Sequence, residues 1–296
     1  MCGYFAFISP NNKQYSHKEF KTAFDLLSHR GPDFSQIIQG ETKNFCYQLG
    51  HHRLSIRDTS EKANQPFFSE CRNYILLFNG EIYNVEDLKL KIKKKSFITT
   101  SDTEVLLYFL IENRSRFNQI NGIYSFVFID LKNQSVIISR DPIGVKPLYF
   151  ATTSDGIFLS SEPKAIVNLE SKLKKISNES VVNLIKYGYV GSENSFFKDI
   201  KSLPPGTTYK YSKNFLEMID KIDINNLYDG LNSNNKFSQK NIEEDIRSAI
   251  QNQIISDVPI SIWQSGGIDS TLINYVLKEE NIKNFILIIP GDDFDE

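Results

Sequence analysis

Cysteine is scarce in this chain of 296 residues, which has only Cys2, Cys46 and Cys71. Three thiols at those spacings form neither a disulfide framework nor a paired metal-binding pattern, and the four histidines, His17, His29, His51 and His52, add no ligand motif. A reduced compartment and no structural metal are therefore expected. No apolar run approaches the roughly 20 residues of a membrane span, and the amino terminus lacks a basic segment leading into a signal-type apolar core. Positive charge is not in excess either. With 34 Lys+Arg against 36 Asp+Glu the net charge is −2, which argues against a general electrostatic hold on nucleic acid or an anionic membrane. The expectation is a cytoplasmic protein doing small-molecule chemistry, with 40% apolar residues to fill the cores of two domains.

What the sequence does have begins at its second residue. Removal of Met1 would leave Cys2 carrying both a thiol and a free α-amine. A terminal amine titrates near pH 8, about where a thiol needs a general base, so one residue would hold nucleophile and base together. Gly3 lets the backbone approach a substrate, and Tyr4–Ile8 reads as a buried strand that fixes this end in the fold. A helical pattern at Phe20, Ala23, Phe24 and Leu27 stops at His29-Arg30-Gly31-Pro32-Asp33, where Gly31 suits a left-handed cap. That loop is either surface turn chemistry or a support beside the thiol.

Arg53, in the strand-like stretch 45–56, either snorkels to solvent or forks onto a substrate carboxylate. Its neighbours His51 and His52 read as structural. The strand Tyr74–Phe78 runs into Asn79-Gly80, with a helix capped by Asn84 beyond. A side-chain amide beside a glycine N–H supplies the two donors of an oxyanion hole. Ser101-Asp102-Thr103-Glu104 reads as a capping box, in which Asp102 serves the helix dipole or holds a substrate ammonium. The run from Lys89 to Lys95 is a solvated helix face. Gly122–Asp130, Ser135–Arg140 and Gly156–Glu162 follow as strands without intervening helices. The first half is thus α+β, layered on antiparallel sheets.

Leu203–Thr207 closes that part, giving a first domain of 2–207, an irregular linker of 208–240 and a second domain of 241–296. The second domain has a helix at Ile242–Ile254 and a strand Val258–Gln264. The turn Ser265-Gly266-Gly267-Ile268-Asp269-Ser270 leads into another helix, and a strand follows at Phe285–Ile289. Small and hydroxyl residues between a strand and a helix make an anion cradle. It lacks Walker spacing, and Asp269 offers a carboxylate for Mg²⁺. Fifty-six residues form one unit of a parallel α/β sheet, short of the roughly 100 that a domain usually needs, so this domain reads as incomplete.

Seven blocks in order resemble the glutamine-dependent asparagine synthetase family: Met1-Cys2-Gly3, His29–Asp33, His52–Ile56, Phe78–Asn84, Ser101–Glu104, Arg140–Gly144, and Asp257-Val258-Pro259 with Ser265–Ser270. The resemblance implies an N-terminal-nucleophile (class II) amidotransferase followed by the start of an ATP-pyrophosphatase (PP-loop) domain, in a ligase of asparagine biosynthesis. It implies that Cys2 attacks the glutamine carboxamide, with Asn79 and Gly80 holding the oxyanion. Glutamine would be bound by Arg53, Ile56, Asn79, Gly80, Glu81 and Asp102. ATP would be bound by Gln264, Ser265, Gly266, Gly267, Asp269 and Ser270, with Mg²⁺ at Asp269. The partners implied are glutamine, aspartate and ATP, and a homodimer is admitted. The chain alone is expected to hydrolyse glutamine without making asparagine, because the acceptor pocket would lie beyond residue 296. The competing readings are a sibling amidotransferase acting on a sugar acid or secondary-metabolite precursor, and a non-catalytic scaffold. A class II phosphoribosyl transferase should lack the Ser-Gly-Gly loop.

Overall fold

The structure is a computed structural model and describes residues 1–42, 45–94, 96–191, 193–223, 239–265, 267–278 and 282–286. The chain divides into two compact units, Met1–Tyr228 and Asp229–Glu296.

The first unit is a four-layer sandwich, helix on sheet on sheet on helix. Its elements are β1 (Gly3–Ser9), α1 (His17–Asp25), β2 (Phe34–Glu41), β3 (Cys46–Arg53), β4 (Phe67–Phe68), β5 (Tyr74–Ile82), α2 (Val85–Leu90) and α3 (Asp102–Glu112). They continue with β6 (Gly122–Asp130), β7 (Ser135–Arg140), β8 (Tyr149–Thr153), β9 (Gly156–Ser160), α4 (Pro163–Leu169), α5 (Asn178–Tyr187), β10 (Lys201–Ser202), β11 (Thr207–Ser212) and β12 (Phe215–Lys221). One antiparallel sheet runs β10-β8-β9-β1-β3-β2 and the other β12-β11-β7-β6-β5-β4.

Alternation along the strands builds the layers. Tyr4, Ala6 and Ile8 of β1 meet Ile75, Leu77, Val127 and Ile129 between the sheets. Phe5 and Phe7 point the other way, into a core with Phe20 and Phe24 of α1 and Ile166 of α4. On the second sheet Leu76 and Phe78 pack beneath Val105, Leu106 and Phe109 of α3. Both faces of both sheets are covered, so the central strands read as unbroken apolar runs with no polar face.

Four local expectations are revised. The expected linker from 208 begins instead with the β11–β12 hairpin, which extends the second sheet through β7. Its turn residues Lys213 and Asn214 have φ of 51° and 61°, a left-handed two-residue turn made without glycine. Asn79 and Gly80 do not end their strand but continue β5 in register with Ser125 and Tyr124. A Cβ at Gly80 would lie 2.3 Å from the Ile123 carbonyl oxygen, so only glycine lets the strands meet there. Ser101 caps α3 through the Thr103 N–H (3.2 Å), but Glu104 accepts from the Ile98 and Thr99 amides instead of closing the box. The reciprocal box is at α1, between Ser16 and Glu19. Asn84 precedes α2 without capping it, because its amide bridges Gln119 and Asn121.

In the second unit α6 (Gln239–Gln251) precedes β13 (Ser261–Gln264), α7 (Ile268–Leu277) and β14 (Lys283–Ile286). The two strands pair in parallel, Ser261 with Lys283 through Gln264 with Ile286, which is the expected strand-helix-strand unit. Ile262, Val276 and Leu277 form a small core with Ile250 and Ile254. Residues 287–289 of the expected strand Phe285–Ile289, together with Gly266, Lys95 and residues 224–238 of the expected linker, lie outside the described residues. Among the described residues no helix is long and apolar enough to cross a membrane.

Candidate active site

One end of the sandwich gathers residues that are far apart in sequence. Cys2 precedes β1, whose Gly3 pairs with His52 near the end of β3, so Cys2 and Arg53 emerge side by side. Asp102 is the first residue of α3, and the Ile82 N–H that ends β5 donates to its Oδ2 (2.9 Å). The result is a cavity of about 60 Å³ lined by Cys2, Arg53, Ile56, Gly80, Glu81 and Asp102, among others. In so small a space any charge is within reach of every wall. Asn79 stands between two residues that line it, Phe78 and Gly80. Six of the seven amide-binding or catalytic residues proposed from the sequence therefore line one cavity, and the seventh, Asn79, is flanked by two that do.

Each is held by identifiable contacts. The Leu54 N–H donates to Cys2 Sγ (3.4 Å) and Arg30 Nε donates to the Cys2 carbonyl (3.0 Å). Arg30 pairs with Glu162 (3.0 Å), which also accepts from His29 (2.9 Å), so the His29–Asp33 loop does support the thiol. Gly31 is extended, with φ −152°, instead of left-handed. It is needed because a Cβ would stand 2.3 Å from the His52 carbonyl oxygen. Arg53 is buried, which removes the snorkelling alternative. Its guanidinium donates to the carbonyls of Ser60 (2.8 Å), Arg57 (3.1 Å) and Asp58 and to Asn64 Oδ1 (2.9 Å), pinning the loop that carries Ile56.

Asn79 is 1% exposed, and its side-chain N–H₂ has no acceptor among the described residues. Leaving a buried donor unpaired costs roughly 1–3 kcal/mol. The peptide before it is clamped: Gln65 accepts from the Phe78 N–H (2.7 Å) and donates to its carbonyl (3.2 Å), and His51 Nε2 lies 3.1 Å from the same oxygen. Burial pushes His51 down to about 3. It is therefore neutral, and its Nε2–H donates. His52 stacks on Phe24 at 3.8 Å between ring centroids, so both histidines are structural, as expected.

Burial raises the Cys2 thiol above its usual range and lowers the terminal α-amine, which here belongs to Met1. Direct ionisation of the thiol is thus disfavoured, and more of that amine is neutral at a given pH. Glu81 is pushed up to about 8 by burial and by the neighbouring Asp102 carboxylate. Burial raises Asp102 as well, opposed first by Arg57. Since Asp102 also accepts the Ile82 N–H, the negative charge of the pair settles on it and the proton on Glu81.

Three further residues that the sequence reading did not single out line the cavity. Gln65 sits in a loop with no periodicity, and Arg57 follows Arg53 as one more cation. Lys146 had a signal, a lysine among apolar turn residues. The side chain of Asp141 accepts from the N–H groups of Ile143, Gly144, Val145 and Lys146, a turn that aims Lys146 at the cavity.

The turn between β13 and α7 is separate chemistry. The hydroxyls of Ser265 and Ser270 lie 3.3 Å apart, Ser270 donates to the Gly267 carbonyl (3.1 Å), and Gln264 reaches Thr271 (3.3 Å). Asp269 is exposed in the first helical turn. A carboxylate there repels a polyphosphate unless a divalent cation lies between them, and hydroxyls with one carboxylate are donors that suit Mg²⁺ on a nucleotide. The residues fit that group. Among the described residues no cluster of three His, Cys, Asp or Glu could hold a metal unaided.

Residues 1–220 match the glutamine amidotransferase domain family, and residues 241–296 match the asparagine synthase family. Asparagine synthetase [glutamine-hydrolyzing] 1 of Bacillus subtilis is 28% identical over 307 residues, covering 100% of this chain and 47% of the relative. The asparagine synthetase [glutamine-hydrolyzing] of Zea mays is 30% identical over 259 residues, covering 83% and 36%. The chain thus spans about half the length of the first relative and about a third of the second. Among solved structures, the glutamine phosphoribosylpyrophosphate amidotransferase of B. subtilis aligns with a TM-score of 0.52 at 16% identity, covering 98% of this chain and 69% of that one. That likeness shows the fold alone.

Proposed function

The chain belongs to the glutamine amidotransferase family, and on that footing we propose that its first unit hydrolyses glutamine to glutamate and ammonia at Cys2. The carrying observation is the cavity lined together by Cys2, Arg53, Gly80, Glu81 and Asp102, with a buried, unpartnered N–H₂ on Asn79, whose chain neighbours Phe78 and Gly80 both line it. A donor left unpaired in a core is suited to charge that develops only during reaction.

The geometry supports the following sequence. With Met1 removed, the Cys2 α-amine takes the thiol proton as Sγ attacks the carboxamide carbon. The carbonyl oxygen becomes an oxyanion held by the Asn79 side chain and the Gly80 N–H. Collapse breaks the C–N bond, the α-ammonium returns a proton to the leaving nitrogen, and ammonia departs. Water then cleaves the thioester to release glutamate. The four Nη–H groups of Arg53 are held by Ser60, Asn64, Arg57 and Asp58, so the fork expected to grip the substrate is already taken, and Arg53 would hold the α-carboxylate through its charge and its Nε–H. Ile56 packs against the substrate chain, and Asp102 with the Gly80-Glu81 segment holds its α-ammonium.

In the full reaction, ammonia would amidate aspartate in an asparagine synthase domain of which residues 241–296 are part, making the enzyme a ligase of asparagine biosynthesis. Gln264, Ser265, Gly266, Gly267 and Ser270 would hold the phosphates of ATP, with Mg²⁺ at Asp269. The domains on this reading are 2–221, a connection to 240, and 241–296. The reading carries a cytoplasmic location without nucleic-acid or membrane partners, and admits a homodimer.

The test is glutamate release by the 296-residue chain, with mass spectrometry after treatment with a glutamine-analogue electrophile. Labelling of Cys2 in protein lacking Met1 supports the proposal, and Cys2→Ser should abolish both signals. Labelling at Cys46 or Cys71 alone, or a retained Met1 in active protein, overturns it.

A further inference from the structure

Arg57 has no part in the reaction as proposed, yet its guanidinium stands inside the cavity. Nη1 donates to the Ile82 carbonyl (2.9 Å) and lies 3.6 Å from Asp102 Oδ2 and 3.9 Å from Glu81 Oε2. This is the place just given to the α-ammonium of glutamine. We infer that Arg57 is a specificity-determining residue, a built-in cation that competes with the donor's α-ammonium for the Asp102–Glu81 pair and so weakens selection for amides bearing that group. The inference rests on the proposed function.

The contacts indicate that the place is contested and loosely held. A charge-assisted hydrogen bond to a carboxylate is about 2.7–2.9 Å long. Arg57 is well outside that range for both carboxylates, so among the described residues the one hydrogen bond its guanidinium makes is to the Ile82 carbonyl. A compact ammonium with three rotatable donors can approach Asp102 more closely than a planar fork already bonded to a carbonyl. The pair also has little charge to share. Glu81 faces Asp102, Arg57, Lys146 and the terminal amine, and burial beside Asp102 lifts it to about 8, so near neutral pH the two carboxyls carry close to one negative charge. One charge holds one cation closely. Arg57 is long, and its backbone lies in the loop that Arg53 pins, so its head can withdraw along its own stem while the loop stays in place.

The competition makes a prediction that a structural role would not. L-Glutamine and glutaric acid monoamide differ only in the α-ammonium. Arg57→Met should lower KM for glutamine about fivefold or more at unchanged kcat. It should leave KM for the monoamide equal or higher, so that selectivity for glutamine, as a ratio of kcat/KM values, rises about tenfold. Arg57→Gln keeps a donor for the Ile82 carbonyl and carries the test if Arg57→Met does not fold. An unchanged or lower ratio in the folded variant overturns the inference. So does failure of both variants to fold, since a charge the fold cannot lose cannot yield its place. If the wild-type chain hydrolyses neither amide, the proposed function fails first. If it hydrolyses glutamine and the ratio stays put, only this inference fails.

Discussion

At the scale of single residues the site combines groups that the fold would be better without. Asn79 keeps a buried donor unpaired, and Glu81 faces another carboxyl in a cavity with little solvent. Asn79→Ala should reduce kcat for glutamine roughly 10²–10³-fold with little change in KM, as loss of one oxyanion donor does. Its melting temperature should equal or exceed that of the wild type, because an unsatisfied group has gone; steady-state kinetics and a thermal melt read the two effects. A lower melting temperature with unchanged kcat would assign Asn79 a purely structural role. Glu81 has a pKa raised from 4.5 to about 8, so the fold prefers its protonated form. Its stabilising contribution is complete below the unfolded value and is lost as pH climbs through about 8. Glu81→Gln cannot ionise, and its melting temperature should gain on that of the wild type between pH 5 and pH 9. A gap that narrows over that range would contradict the assignment.

At the scale of elements the geometry of the proposed site depends on contacts remote from Cys2 in sequence. The Gln65 amide grips both polar atoms of the Phe78 backbone, and His51 takes a second hold on its carbonyl. Gln65→Ala should leave the Phe78 N–H buried and unpaired, lowering stability by about 1–3 kcal/mol in chemical denaturation. Its kcat should fall further than its KM rises, since both ends of the Gln65 amide are spent on the Phe78 backbone that precedes Asn79. A variant that loses stability at unchanged kcat would separate the clamp from the chemistry. None of this was legible beforehand, because Gln65 lies in a loop whose partner is thirteen positions away and shows no pattern. By contrast Cys2, Arg53, Asn79, Gly80 and Asp102 were legible as candidates, the first four in or beside a strand and Asp102 at the opening of a helix. The exact roles of glycines were less so. Gly31 and Gly80 are fixed by close approach of a neighbouring strand's carbonyl, which involves residues outside their own segment.

At the scale of the whole molecule the strand periodicity gave the layered antiparallel architecture of the first unit and the parallel unit of the second. It missed where the first ends. The β11–β12 hairpin buries Tyr211 but leaves much of β12 exposed, and its turn has no glycine, so composition alone made it a linker. A chain ending at residue 207 should therefore lose the edge of the second sheet and aggregate, whereas one ending at 223 should be monodisperse by size-exclusion chromatography. Equal behaviour of the two would mean the hairpin adds nothing to that sheet. The position of β1 has a different consequence. Chain ends ordinarily fray, yet this one runs directly into a strand flanked on both sides, by β3 and β9. Backbone amides of Tyr4 through Ile8 can be reached by solvent deuterium only when the sheet itself opens, at close to the free energy of global unfolding. On the proposed function, the Cys2 thiol is thus tethered to a strand held on both sides, and protein that has begun to melt locally elsewhere would still hold it in register.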